Sequence, residues 1–118
     1  MTEAPLTAGE RKDLEGKLLE RLRRELEKSR NIGYLPHPFV AMISDHRPVG
    51  ACIRVITKEP PPEGFAKLWE LDHLELTAER AILDGPWCHL FPTQVRERAK
   101  RRLRQYKRPD LIPSGFCF

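Results

Sequence analysis

FVAMISDHRPVGACIRVIT, residues 39–57, is the stretch whose reading decides whether this 118-residue chain is all-α or mixed. Phe39, Val40, Met42 and Ile43 recur as on one face of a helix. From Val49 to Ile56 two patterns overlap. Val49, Ala51, Ile53 and Val55 alternate as in a half-buried strand, while Val49, Ile53 and Ile56 follow helical spacing. The β-branched content favours a strand. Pro48 suits the first turn of a helix, and Asp45–Arg47 would then form the bend of a helical hairpin. The helical reading makes the chain a single all-α domain of five or six helices. The other makes it α+β, with a hairpin at 39–57.

Working outward, Thr7-Ala8-Gly9-Glu10 has the pattern of a capping box, in which the threonine hydroxyl and the glutamate three residues on each satisfy an early backbone N–H. Leu14, Leu18, Leu22 and Leu26, broadened by Leu19, predict a helix over 8–30 that Asn31 and Gly33 stop. Residues 32–38 read as a loop. Residues 58–64 (KEPPPEG) read as an extended connector, because three consecutive prolines exclude helix. Phe65, Leu68, Trp69 and Asp72 share one face of a short helix, Thr77 caps another over 78–83, and Trp87, Leu90 and Phe91 form an aromatic plug. A last helix is expected behind a Thr93 cap, its seam Val95, Ala99, Leu103 and Tyr106, its end set by Pro109. The expected core is Phe39, Met42, Ile43, Ile53, Leu68, Trp69, Leu83, Trp87 and Leu90. Residues 1–6 are expected to be disordered and 109–118 to form an apolar tail.

The segment GFAKLWELDHLELTAERAILDGPWCHLF with the later RERAKRRLRQY is similar to a group of small bacterial proteins without a known activity. The likeness rests on Leu68-Trp69-Glu70, Leu76-Thr77 with Glu79, Leu83, Trp87 with Leu90-Phe91, and the Arg-Ala, Arg-Leu, Tyr spacing of the last helix. It extends back to Tyr34 through Pro36, Phe39 and Met42. In that group the part matching 37–58 is helical, so the resemblance implies the all-α alternative. It implies no catalytic residues.

Charge is unevenly distributed. Residues 93–108 hold Arg96, Arg98, Lys100, Arg101, Arg102, Arg104, Lys107 and Arg108 against Glu97, in a chain whose whole net charge is only +4. The remainder is therefore acidic. A dense row of arginines can fork to phosphate oxygens and release counterions, which makes these eight residues the candidate nucleic-acid-binding set, with DNA or RNA as partner. The opposing reading docks them on Glu59, Glu63, Glu70, Asp72, Glu75, Glu79 and Asp84 of the same chain. The second candidate surface is the tail, where Leu111, Ile112, Phe116 and Phe118 either cover the domain or bind a partner protein, including a second copy.

Other constellations are weak. His37, His46, His73, Cys88 and His89 have no standard ligand spacing, so neither a metal nor another cofactor is expected. Glu15-Gly16-Lys17 reads as surface charge on the leucine-striped helix. Cys88-His89 lacks a third group to orient a nucleophile and base, and no phosphate-loop, GxSxG or dinucleotide pattern occurs. A recognition helix at 49–56 is disfavoured because it offers only Arg54 for base edges. Cys52, Cys88 and Cys117 form no CxxC pair and suggest reduced thiols. The expectation is a non-catalytic cytoplasmic accessory factor bound to nucleic acid, or alternatively an adaptor using the tail and aromatic surface, with no membrane association.

Overall fold

The long first helix starts where its cap chemistry puts it. In the structure, a computed structural model that describes residues 6–34 and 37–113, the Thr7 hydroxyl accepts from the Glu10 N–H at 3.0 Å and Glu10 accepts from the Thr7 N–H at 2.9 Å. α1 then runs Ala8–Asn31, with Leu18 and Leu22 fully buried. Leu6 packs against the core, and residues 1–5, most of the stretch expected to be disordered, lie outside the described set. α1 ends in a Schellman motif: Gly33 sits at φ +91, its N–H reaches Arg30 O at 3.0 Å, and the Tyr34 N–H reaches Ser29 O at 3.0 Å.

The deciding stretch is helical. α2 spans His37–Thr57, broken only at Arg47, whose φ of 64° and ψ of 170° lie outside the helical region directly before Pro48. Pro48 thus stands at the start of the second segment, where its missing N–H removes no hydrogen bond. No strand occurs among the described residues. The chain is all-α, and no described helix is long and apolar enough to cross a membrane.

α3, Glu63–Glu70, buries Phe65 and Leu68 and closes on its own Schellman motif with Asp72 at φ +59. This corrects two expectations. Asp72 lies beyond the helix, and Trp69 is 51% exposed instead of in the core. α3 packs mainly on the 3₁₀ turn Leu74–Leu76, leaving room for only one buried face.

α4, Ala78–Leu83, is the hub. Capped by Thr77, it buries Glu79, Ala81, Ile82 and Leu83 and contacts α1, α2 and α5. Behind it the 3₁₀ turn Pro86–Leu90 seats Trp87, whose indole N–H donates to Ala81 O at 2.7 Å. A Cβ on Gly85 would stand 2.5 Å from that indole, so only glycine lets the ring lie flat on this turn. α5, Thr93–Gln105, buries Val95, Ala99 and Leu103 as the seam predicts. Its N-cap is Pro92 and not Thr93, which occupies the first helical position. A final 3₁₀ turn, Pro109–Leu111, folds back on α5.

Candidate nucleic-acid interface

α5 divides its cations by helical geometry. Val95, Arg98, Ala99, Arg102, Leu103 and Tyr106 recur at three- and four-residue steps and so share one face, the one pressed on α4 and α2. Two of the eight candidate cations therefore point into the protein.

There they meet the C-terminal end of α2, whose last carbonyls have no partner within the helix. Arg98 donates to Ile56 O and Thr57 O, both at 3.0 Å. Arg102 donates to Val55 O at 3.0 Å and Lys58 O at 2.6 Å. The Thr57 hydroxyl takes Ile53 O at 2.7 Å. Two planar guanidinium groups thus close the negative end of a helix dipole with paired hydrogen bonds, which the point charge of a lysine does not reproduce.

The arginines also meet the acidic segment. Arg98 contacts Glu59 at 2.8 Å, and Arg102 contacts Glu79 at 2.7 Å and Glu59 at 3.4 Å. Arg102 and Glu79 are each 2% exposed, and Arg102 lies 5.6 Å from the centre of the Phe65 ring. Burial pushes the Glu79 carboxyl above its ordinary value, while Arg102 pulls it back down. An arginine so enclosed cannot reach an external phosphate.

Of the remaining candidates, Arg96 donates to Phe91 O and the Thr93 hydroxyl at 3.2 and 3.1 Å. Lys100 is buried beside Glu97 at 3.1 Å. Arg108 pairs with Asp110 at 3.1 Å and Asp72 at 3.4 Å. Arg101, Arg104 and Lys107 are exposed, and their side chains have no hydrogen bond or ion pair among the described residues. Intramolecular docking onto the acidic segment thus holds for Arg98, Arg102 and Arg108, and the outer face of α5 keeps three available cations.

The tail divides as well. Leu111 is buried in the core and Ile112 packs against it, whereas Phe116 and Phe118 lie outside the described residues. Trp69, assigned to the core on sequence, is instead a surface aromatic set edge-on to Tyr106 with ring centres 5.5 Å apart. Its nearness to α5 joins elements 37 residues apart and has no signal in local spacing.

The weaker constellations resolve simply. Glu15 pairs with Arg47 at 2.8 Å and Lys17 with Asp13 at 3.2 Å, as surface charges do. His73 Nδ1 lies 2.7 Å from Glu75, and the described residues contain no group of three or more metal-ligating side chains. Cys52 and Cys88 are both fully buried, so neither is placed to act as a nucleophile, and Cys117 lies outside the described residues. No family model, curated protein or solved structure matches the chain.

Proposed function

We propose that this protein is a small non-catalytic accessory factor that holds the phosphate backbone of nucleic acid against the outer face of α5. The observation that carries the reading is that the side chains of Arg101, Arg104 and Lys107 stay exposed and unpartnered among the described residues while Arg98, Arg102 and Arg108 take the neighbouring carboxylates. Three cations give a modest, sequence-independent affinity, with Kd on the order of 10⁻⁴ M at physiological salt. No base-reading side chain accompanies them, so the contact positions the protein without specifying sequence.

The test compares binding of a fluorescent DNA or RNA oligonucleotide at low salt by the wild type and by a triple variant, Arg101→Ala, Arg104→Ala and Lys107→Ala. The expected result is loss of binding with an unchanged melting temperature. Binding that the triple substitution leaves undiminished ends the proposal.

A second reading, an adaptor that docks a protein partner or a second copy, is favoured by Trp69, because an exposed tryptophan at a surface is a typical anchor of protein interfaces. Sedimentation of the wild type against Trp69→Ala separates the two: the adaptor reading expects self-association that this variant loses. The nucleic-acid reading expects monomers in both.

A further inference from the structure

The buried stripe of α1 changes character along its length. Leu18 and Leu22 give way, at the same helical spacing, to Glu25 and Ser29, which are 6% and 3% exposed. Polar residues on the core side of a helix need partners, and their surroundings show where one is missing.

Glu25 and Ser29 line a cleft of about 350 Å³ between α1, the first turns of α2, α3 and the start of α4. That volume falls at the small end of ligand pockets, which run roughly from 300 to 1,000 Å³. Its apolar walls include Leu22, Leu26, Phe39, Met42, Phe65 and Leu68. The other buried polar groups in the wall are already engaged. The Ser29 hydroxyl donates to Tyr34 O at 2.7 Å, the Thr77 hydroxyl donates to Leu74 O at 2.7 Å, and Glu79 is held by Arg102. Glu25 is held on one side only. Its Oε1 accepts from Arg21 Nε, and Arg21 turns its other arm to Asp84 at 2.8 Å. Glu25 Oε2 is buried and has no hydrogen-bond partner among the described residues.

A carboxylate oxygen can only accept, so what completes it must donate, and a cationic donor is favoured because the bond is charge-assisted. A second carboxylate, Glu63, stands in the cleft wall, where burial first and its charge second push the Tyr34 phenol above its ordinary value. The apolar walls require a hydrophobic body behind the cation. We infer that this cleft is a binding site for a small organic ammonium ion, a primary amine carried on an alkyl or aryl group, whose head donates to Glu25 Oε2. A compact ammonium fits better than a peptide helix, because the site is a small cleft walled by several elements and not a groove along one of them. The inference is independent of the α5 proposal, which uses other residues.

The test titrates the full chain with 2-phenylethylammonium and, as a neutral control of the same shape, 2-phenylethanol, following backbone amide shifts by NMR. The expected result is amine binding at least tenfold tighter than the alcohol, with shifts centred on Glu25, Ser29, Phe39 and Phe65. Glu25→Gln should erase that preference. If this variant fails to fold, Leu26→Trp, which fills the cleft and keeps Glu25, should abolish amine binding instead. Equal binding of amine and alcohol, shifts confined to exposed acidic residues, or no shift at millimolar amine overturns the assignment.

Discussion

Lys107 holds an unusual place for a lysine. It sits at φ +62, the left-handed position that closes the Schellman motif of α5, with its N–H on Arg104 O and the Arg108 N–H on Leu103 O. Glycine is the natural occupant, since an L-residue there costs roughly 1–2 kcal/mol. Lys107→Gly should therefore stabilise the fold by about 0.5–1 kcal/mol once glycine's greater freedom in the unfolded chain is counted, as read by urea denaturation. The same change should weaken oligonucleotide binding. A gain in stability with a loss in binding identifies Lys107 as retained for its charge, and a loss of stability would show that its side chain supports the fold. Sites of this kind also mark the limit of residue-level reading. Gly33 announced the end of α1 because glycine is the usual signal, but Arg47, Asp72 and Lys107 adopt positive φ without it. Nothing local in the sequence distinguishes them. For that reason Asp72 was expected on a helix that ends two residues earlier, at Glu70.

Between elements, the strongest polar tie is the pair of arginines from α5 that closes α2. Arg102 is held by two carbonyls and the buried Glu79, so its removal leaves a carboxylate without its counter-charge in a closed site. Arg102→Ala should cost about 3–5 kcal/mol, in the range of broken buried ion pairs. Arg102→Lys should recover only part of that, because one ammonium cannot serve Val55 O, Lys58 O and Glu79 in the forked geometry. Thermal or urea unfolding checks the order, and a lysine variant as stable as wild type would show the fork to be unimportant. This tie was legible in part. Arg98 and Arg102 fall one residue before Ala99 and Leu103, on the same helical face as the seam, and face position alone marks them as inward. Their partners were not legible, since Val55–Lys58 and Glu79 come from α2, α4 and the intervening connector, which only the tertiary fold brings together. The helix-or-strand ambiguity of 49–56 has a similar cause. Ala51, Cys52 and Ile56 are buried, so the segment is apolar enough to satisfy either period, and its position under α4 decides.

For the molecule as a whole, the partition of charge predicts how a polyanion acts on stability. Docked on its core, α5 offers Arg101, Arg104 and Lys107; detached, it would offer all eight cations of residues 93–108. Exposed cations on α1, among them Arg23, Arg24 and Lys28, add a background common to both cases. The informative quantity is therefore the difference between the wild type and the Arg101, Arg104 and Lys107 triple variant. Each lost phosphate contact lowers the slope of log affinity against log salt by about one, so the docked helix predicts a difference of about 3. A detached helix would lose the same three contacts but keep five of its eight cations in the variant, including Arg98 and Arg102, so its variant would retain a salt slope of about 5 above the α1 background, whereas the docked variant falls to that background. The two cases also move the melting temperature in opposite directions. A polyanion that binds the native surface stabilises it by mass action, whereas one that draws Arg98 and Arg102 off the end of α2 binds the opened state and destabilises the fold. The expected outcome at low salt is a melting temperature that rises with oligonucleotide concentration, and that rises less in the triple variant. A melting temperature that falls instead would mean that the cations capping α2 are the ones nucleic acid takes.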